Sequence, residues 1–313
     1  MKKIISTTIT ICAACVLIVF VAINVCIPVY ARTIPFFGSA FAFVQDKLDF
    51  AGLYSNYAFE VGDTAVDNGI TVMLSEIYCD GTSLYAGFVV ESEKSFSEIS
   101  PDDYRNGQLY YEGAAYISGE SERKKLSDFG IAGLEGQFYD EYTFVGIEMF
   151  SLDGLAFPSE FKFEMEIDSI GIEPDEINAK TTNGKWIFSV LTKSNTDDVV
   201  TYEINEEVNG HTIDRIVVTP VMITVYTSYP DLYSGTTRYS VKVFSDFSPD
   251  ENILIQGRYG STSGITQIPR NRVGNVISIY ILDNDQLCKT GKERGSRDEI
   301  EEHAILGIEK AIE

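Results

Sequence analysis

The residues with the clearest potential for chemistry are three carboxylates that alternate along one predicted strand. Glu164, Glu166 and Asp168 are separated by one residue each within Phe161–Ile170. Side chains two positions apart on a strand point to the same face of the sheet, so one of these groups could act as a general acid and another as a general base. A solvated sheet face has the same pattern. We interpret the row as such a face, and we predict that the chain is not an enzyme and has no catalytic residue.

Two oxygen-rich segments are candidates for calcium ligands. Asp283–Asp285 and Asp246–Asn252 offer carboxylate and amide oxygens, but neither has the glycine and distal glutamate of an EF-hand loop. Gly260–Gly264 is rich in glycine and serine but lacks the Gly-Lys-Ser/Thr ending of a phosphate-binding loop, so we predict a flexible turn there. We therefore predict no metal site and no cofactor.

Cysteine and histidine are placed unfavourably for metal binding. Cys12, Cys15 and Cys26 lie in an apolar segment, where thiols behave as small apolar side chains. The first two have the C-x-x-C spacing, but no cysteine or histidine follows that would complete a zinc site. His211 and His303 are the only histidines, which leaves little for imidazole catalysis.

Cys79 and Cys288 are the remaining cysteines. They are able to form a disulfide if the compartment is oxidising. Because they are far apart in sequence and fall in different predicted domains, we favour two unpaired thiols.

An uncharged apolar segment follows Met1-Lys2-Lys3 and covers residues 4–27. At about 1.5 Å per residue it forms a helix of roughly 36 Å, enough to cross a bilayer core of about 30 Å. The lysines before it predict a cytoplasmic N-terminus and an outward Arg32–Glu313. We therefore predict a single-pass protein of the cell membrane, anchored through residues 1–31, with residues 32–313 extracellular.

Signal-peptide cleavage is the alternative to this anchor. Val29-Tyr30-Ala31 has the small residues of a cleavage site, and cleavage after Ala31 would release a secreted binding protein that starts at Arg32. The apolar segment is longer than the about 7–15 residues of a typical signal-peptide core, which favours the anchor. Residues 32–55 are aromatic-rich and are predicted to form a juxtamembrane collar.

The charge of the chain excludes some partners. The net charge is −23, and the predicted exported part carries −25, since Lys2 and Lys3 remain inside (−23 minus 2). Such an acidic surface repels nucleic acid and anionic lipid headgroups. We therefore predict no nucleic-acid partner, and a protein or cell-wall partner instead.

Alternating apolar and polar residues after Tyr57 are typical of half-buried strands. Ile70–Leu74 and Leu84–Val90 are predicted to belong to a hairpin that turns at Asp80–Gly81, where glycine tolerates a positive φ. A shift in the apolar positions predicts a β-bulge near Ser75–Glu76.

Residues 56–195 are predicted to form the first β-rich extracytoplasmic domain. Its further strands are predicted at Tyr142–Phe150, Phe161–Ile170 and Lys185–Lys193. We expect Asn183–Gly184 to turn the chain into the last of these, Trp186 to fill the centre of a sandwich core, and Ser121–Leu126 to form a helical turn.

Residues 196–285 are predicted to form a second domain, an immunoglobulin-like β-sandwich that follows a polar linker at Ser194–Asp198. Its strands are predicted at Val200–Val208, Thr212–Thr219, Val221–Thr227, Arg238–Phe247, Ile253–Tyr259 and Val276–Leu282. Strands at this spacing with polar turns are typical of sandwiches. The predicted fold class is therefore all-β, with two β-sandwich domains behind one transmembrane helix.

Residues 286–313 are predicted to form a linker and a short amphipathic C-terminal helix. Ser296 and Glu299 have the spacing of a capping box. Ile300, Ala304, Ile305, Ile308, Ala311 and Ile312 would then share one helical face. This helix either packs on its own domain or docks on a partner protein.

The order of several short segments resembles a known family. Ile34–Phe37 follows the apolar segment, Asp67–Val72 leads into Cys79–Tyr85, and Gly184–Phe188 has the form of a closing strand. Together these resemble the Gram-positive membrane proteins of domain of unknown function 4179, many of them described as anti-sigma-factor-like. Gly210–Tyr226 resembles the opening of the immunoglobulin-like domain that often follows.

The resemblance extends over about residues 25–285 and implies envelope sensing or signalling without catalytic residues. Anti-sigma-like members hold the sigma factor with a cytoplasmic segment. Only Met1-Lys2-Lys3 precede the predicted span here, and three residues are too few for an interface of about 800 Å² per partner. We therefore expect the sensory or scaffold half without direct sigma binding. A structural or adhesive surface protein is the alternative.

Overall fold

The described part of the chain is mostly β-structure, as the alternating apolar pattern predicts. The computed structural model describes residues 39–48, 54–96, 108–119, 122–128, 133–171, 181–230, 239–253, 256–259, 262–284 and 297–312. These residues belong to one compact unit, Gly38–Glu313. The predicted membrane span at residues 4–27 and Cys288 lie outside the described residues. Within the described ranges, no helix combines the length and apolarity that a membrane crossing needs.

A ten-stranded sheet occupies the first part of the unit. Its strands are β1 (Phe59–Asp67), β2 (Ile70–Cys79), β3 (Ser83–Ser92), β4 (Gln108–Ser118), β5 (Arg123–Lys125), β6 (Ser127–Asp128), β7 (Leu134–Phe138), β8 (Thr143–Ser151), β9 (Glu160–Gly171) and β10 (Thr181–Lys193). The order is β1-β2-β3-β8-β7-β4-β9-β10, with β5 beside β4 and β6 beside β8.

The predicted hairpin of β2 and β3 is confirmed. The strands pair antiparallel, and their register shifts between Leu74 and Glu76, at the predicted bulge. Gly81 in the turn has a φ of +87°. A Cβ there would also lie 2.8 Å from Cγ2 of Thr196, so conformation and space both require glycine.

The core of this sheet contains Trp186, as predicted. Its ring is fully buried among apolar side chains. The indole Nε1 donates a hydrogen bond to the carbonyl of Ile70 at 3.0 Å. Because β10 and β2 are far apart in the strand order, this bond joins the two ends of the sheet across the core.

Two local predictions in this region are wrong. Arg123–Lys125, within the predicted helical turn, is strand β5 and pairs with Tyr116–Ser118 of β4. Asn183–Gly184 does not precede a new strand but lies inside β10, whose register with β9 shifts between Asn183 and Trp186. In both cases a neighbouring strand supplies backbone partners that local sequence does not reveal.

Helix α1 (Ala40–Leu48) lies within the predicted collar and packs on the sheet. Ala40, Phe41 and Val44 are fully buried. Gly87 of β3 permits this approach, because a Cβ there would lie 3.1 Å from that of Ala40. The Glu76 carboxylate accepts hydrogen bonds from the Ser39 hydroxyl at 2.9 Å and the Phe41 N–H at 3.2 Å, so it stabilises the start of the helix.

The second part of the unit contains a five-stranded and a three-stranded sheet. The strands are β11 (Val200–Val208), β12 (His211–Val218), β13 (Met222–Ser228), β14 (Tyr239–Ser245), β15 (Gln256–Tyr259), β16 (Ser263–Pro269), β17 (Val276–Asp283) and β18 (Leu306–Ala311). A 3₁₀ turn, Arg270–Arg272, follows β16. The orders are β11-β12-β13-β16-β15 and β14-β17-β18, and apolar side chains from both sheets share one core.

The predicted flexible turn at Gly260–Gly264 is wrong at its end, because Ser263 and Gly264 belong to β16 and pair with β13. The predicted C-terminal helix is also wrong over half its length. Helix α2 (Arg297–His303) ends at His303, and β18 then pairs with β17. Leu306 and Ile312 are buried against the core, so the apolar residues that fit a helical period are placed by strand pairing instead.

Candidate functional site

The carboxylate row lies on the exposed side of β9, where Arg123 of β5 binds two of its members. The guanidinium is 3.2 Å from Oε2 of Glu164 and 2.6 Å from Oε1 of Glu166. It also stacks on the ring of Tyr116, 3.6 Å from the ring centroid. Asp168 is exposed at the end of the row. The structure therefore keeps the predicted carboxylates on one face but pairs Glu164 and Glu166 with a cation.

The environment of Glu164 is that of a structural carboxylate. The Ser118 hydroxyl donates to Glu164 at 2.7 Å, and this bond, followed by Lys162 and Arg123, lowers the pKa of the carboxyl. A general acid at neutral pH needs the opposite shift. The geometry thus favours a solvated, ion-paired face.

Side chains in the oxygen-rich segments accept hydrogen bonds from other parts of the protein, while Asp285 lies outside the described residues. The Asp246 carboxylate accepts the N–H groups of Asn275 at 3.1 Å and Val276 at 3.2 Å, and these bonds lower its pKa. Asn252 accepts the Val243 N–H at 2.9 Å. Asn284 accepts the Ser240 hydroxyl at 2.6 Å. Across the described part of the chain, no group of three or more His, Cys, Asp or Glu side chains is arranged to hold a metal ion.

Cys79, at the end of β2, is a buried free thiol. Burial raises its pKa to about 12. A thiolate is the reactive form, so the folded protein keeps this sulfur unreactive at neutral pH.

We expect Cys79 to resist iodoacetamide at about pH 8 in the folded protein and to be alkylated fully in denaturant. Mass spectrometry of the peptide that contains Cys79 measures this, with the same peptide from urea-treated protein as the reference. Native labelling at the denatured rate would contradict the buried placement.

His211, at the start of β12, is buried with neither ring nitrogen hydrogen-bonded. Its ring packs edge-on against Tyr239, with centroids 4.6 Å apart and an interplanar angle of 85°. His303 has its Nδ1 2.8 Å from the Glu299 carbonyl. Neither imidazole is thus paired with a nucleophile among the described residues, and His211 acts as an aromatic core residue.

A buried polar cluster, which we call the polar joint, connects the ten-stranded and five-stranded sheets. Oδ1 of Asp80 accepts hydrogen bonds from the Thr82 N–H (2.9 Å), the Thr82 hydroxyl (2.8 Å) and the Ser83 N–H (2.8 Å). The Ser83 hydroxyl accepts from Nε2 of Gln267 in β16 at 3.2 Å. The turn of the first hairpin thereby contacts the second part of the unit.

Asp80 has no exposed surface, and burial raises its pKa against the opposing effect of the hydrogen bonds that it accepts from Thr82 and Ser83. The nearby Cys79 carbonyl accepts the Asn195 N–H at 2.8 Å. At the rim, Arg215 of β12 is 3.3 Å from Asp153. Because Asp80 is fully enclosed, it does not contact solutes and is a poor candidate for binding or catalysis. The hydrogen bond between Ser83 and Gln267 instead gives the polar joint a structural role, in which it positions the two parts of the unit. Sequence reasoning missed it, because Asp80-Gly81 is also an ordinary turn signal.

The exposed side of β4, β9 and β10, here called the outer face, has a different character along β10. Ile187 and Leu191 point outward with 57% and 73% of their surface exposed. They alternate with the buried Trp186, Phe188 and Thr192. Four residues at about 3.3 Å per residue place the two aliphatic side chains roughly 13 Å apart on one strand.

A small cleft lies at one end of the outer face. Its volume is about 150 Å³, and its lining includes Ser118, Lys124, Phe157, Pro158 and Phe161. The Lys124 ammonium already donates to the Ala156 carbonyl at 2.7 Å. Sites for small ligands usually enclose about 300–1,000 Å³. The cleft is therefore smaller than a typical ligand site, and the outer face at β10 is the better candidate for recognition.

Residues 1–92 match the family described as Domain of unknown function (DUF4179). This match confirms the resemblance inferred from the segments after the apolar stretch. No protein of the curated set matches the chain.

A solved structure is similar in fold at low identity. The crystal structure of the conserved domain protein from Bacillus anthracis has 17% identity and a TM-score of 0.52, over 83% of this chain and 93% of that chain. It is similar in fold. A marsupial T cell receptor covers 82% of this chain and 97% of its own at 8% identity, but with a TM-score of 0.19. That value is too low to support an argument.

Proposed function

We propose that this protein, whose residues 1–92 match DUF4179, is a membrane-anchored, non-enzymatic binding protein of the extracytoplasmic side that acts in envelope sensing or signalling. Residues 4–27 form the transmembrane helix, and residues 32–313 lie outside the cell. Residues 56–195 and 196–285 form two immunoglobulin-like sandwiches, and a protein partner binds the outer face.

The observation that carries this proposal is the exposure of Ile187 and Leu191 on one strand. Scattered exposed aliphatic residues are ordinary, but these two lie on the same side of an edge strand and share their sheet with Trp186 of the core. A contact here acts directly on a rigid element. Such a surface suits recognition of a protein, because burial of aliphatic side chains supplies binding energy at about 25 cal/mol per Å².

The polar groups support a role in binding. The row of Glu164 and Glu166 is neutralised by Arg123, and the acid with a raised pKa at the polar joint, Asp80, is enclosed. Neither arrangement places a free acid and base beside a cavity.

A photo-crosslinking residue at position 191 in intact cells is expected to capture a specific protein, because Leu191 lies at the centre of the proposed contact. The same residue at position 247 is the control, since Phe247 is equally exposed, at 72% against 73%, but lies outside the outer face. Mass spectrometry of the membrane fraction identifies the adducts.

Equal capture at positions 191 and 247 would reject a specific contact at the outer face. A deletion strain decides the type of function: we expect a change in stress-regulated transcription. A change in adhesion with transcription unaltered would favour the structural or adhesive alternative.

A further inference from the structure

The contact between the two parts of the unit buries polar atoms that no described residue hydrogen-bonds. In the first part this atom is Oδ2 of Asp80, and in the second part the atoms are the Thr224 hydroxyl and Oε1 of Gln267. Thr224 lies directly opposite Gln267 in the pairing of β13 with β16, so both side chains point to the same side of that sheet. Each unpaired atom makes the closed contact less favourable, because water would satisfy it in an open one.

The direct polar contacts that cross this junction contribute little to closing it. Nε2 of Gln267 donates to the Ser83 hydroxyl at 3.2 Å. At the rim, Arg215 is 3.3 Å from Asp153, with 38% and 34% of the two side chains exposed. Ion pairs with such exposure contribute less than about 1 kcal/mol. Two parts of a chain that meet through polar groups are expected to move relative to each other.

Asp80 makes the junction dependent on a proton. Its Oδ1 accepts hydrogen bonds from Thr82 and Ser83, which belong to the same turn and stay beside it in a closed or an open junction. Its Oδ2 is buried without a donor, and Asp80 forms no ion pair with a described residue. An ionised carboxylate loses hydration here that nothing replaces, whereas the neutral acid does not. Burial accordingly raises the pKa of Asp80.

We propose that the polar joint is a proton-dependent hinge: the two parts are held together while Asp80 is protonated, and they separate at the joint when Asp80 ionises. The closed form binds this proton more tightly than an open form in which water reaches the carboxylate. The closed form is therefore favoured at low pH and loses that advantage as the pH rises through the pKa of the closed form. This inference concerns the arrangement of the two parts and does not depend on a partner at the outer face.

Other titratable groups around this carboxyl do not produce the same pH dependence. Tyr78 and Cys79 precede it on β2, and burial raises the pKa of both, that of Cys79 to about 12. Burial and Asp153 raise the pKa of Tyr226 in β13 to about 12. These three groups are therefore neutral between about pH 5 and pH 8. Arg215 and Asp153 pair with each other at the rim, and a variant isolates their contribution.

Amide hydrogen exchange of the full-length chain in detergent, measured by mass spectrometry, tests this inference. Peptides that contain Ser83 or Thr224 report opening of the joint, after correction for the intrinsic effect of pH on exchange. We expect their protection to fall by about tenfold or more between about pH 5 and pH 8, since a tenfold difference in proton affinity between the closed and open forms changes the opening equilibrium tenfold. Asp80→Asn has no charge to gain and is expected to keep its protection over the same range.

Two controls distinguish opening of the joint from a general loss of protection. The N–H groups of Asn275 and Val276 donate to the exposed carboxylate of Asp246, whose pKa is lowered, so we expect their protection not to fall as the pH rises. Asp153→Asn removes the negative charge at the rim and leaves Asp80 in place. We expect the joint of this variant to retain its pH dependence.

Thr224→Val tests the unpaired atoms without a change of charge. Valine has nearly the same shape but no hydroxyl, so the closed joint then buries one unpaired polar atom fewer. We expect stronger protection at the joint and a higher melting temperature. Thr227→Val is the matched control, because Thr227 is equally buried on the same strand, at 1%, but its hydroxyl donates to Tyr229 at 2.7 Å. We expect this variant to melt at a lower temperature.

Two results would overturn the inference in its dependence on the proton: equal protection of the joint at both pH values, or an equal fall in Asp80→Asn. A lower melting temperature for Thr224→Val than for the unaltered protein would show that this hydroxyl is satisfied in the closed form. That result would reject the unpaired atoms as the reason for opening.

Discussion

Replacement of Trp186 by alanine is expected to lower the free energy of unfolding by about 3–5 kcal/mol, among the largest effects of any single change in the first part of the unit. The side chain is fully buried, and its Nε1 donates to the Ile70 carbonyl at 3.0 Å. Truncation removes apolar contacts, leaves a cavity and deprives a buried carbonyl of its donor. Urea unfolding followed by circular dichroism measures the change, because Trp186 is the only tryptophan and its fluorescence disappears with it.

Trp186→Phe is the matched control, since it retains an aromatic ring and loses the N–H donor. We expect a smaller loss than for alanine. Leu191→Ala on the exposed side of the same strand should change stability by less than about 0.5 kcal/mol. A loss below about 1 kcal/mol for Trp186→Ala would contradict the central position of this residue.

Replacement of Asp80 by alanine is expected to destabilise the protein by about 2–4 kcal/mol, because the N–H groups of Thr82 and Ser83 lose their acceptor in a buried site. Asp80→Asn retains an oxygen that accepts the same hydrogen bonds. We therefore expect the asparagine variant to fold normally and the alanine variant to melt at a lower temperature at every pH. Thermal unfolding of both variants beside the unaltered protein measures this.

Both Asp80 variants remove the titration of this carboxyl, and Asp80→Asn does so while it keeps an oxygen acceptor, so the asparagine variant isolates the pH dependence. Burial raises the pKa of Asp80, so the folded protein binds this proton more tightly than the unfolded chain does. The stabilisation is fully present below the unfolded carboxyl pKa of about 3.9 and is lost as the pH rises through the folded pKa. Asp80→Asn removes that loss and should gain stability relative to the unaltered protein as the pH rises above about 4.

Other carboxyls do not obscure this comparison. Glu76 and Glu135 also have raised pKa values, while the pKa values of Glu164 and Asp246 are lowered. All of them are present in both proteins, so they cancel in the difference. A difference in melting temperature that does not change with pH would show that Asp80 does not titrate in this range.

The strands and the first core were largely predictable from sequence, because period-2 alternation and glycine turns are local signals. The hairpin at Asp80–Gly81, its bulge near Ser75–Glu76 and the buried Trp186 are found as expected. The row at Glu164 lies on the exposed side of its strand, in agreement with its interpretation as a solvated face, and only the structure shows that Arg123 pairs with it. Each of these features depends on residues that are neighbours in sequence or along one strand.

Features that depend on distant partners were not predictable. Leu306–Ala311 fits a helical period but becomes a strand, because β17 offers an unpaired edge beside it. Arg123–Lys125 pairs with β4 for the same reason. The enclosure of Asp80 depends on contacts with segments far along the chain, such as the one between Ser83 and Gln267. Local sequence contains the turn but not the residues that cover it.

The amino-acid sequence by itself shows that the chain is strongly acidic and rich in aromatic residues, and residues 1–92 match DUF4179. Its alternating apolar residues also predict the β-structure that the described part of the chain contains. Side-chain period and turn residues suffice for this, since they act over a few residues. Strand order and the polar joint depend on which strands meet. These features bring together residues far apart in sequence, such as Trp186 and Ile70 or Ser83 and Gln267, so only the folded chain determines them.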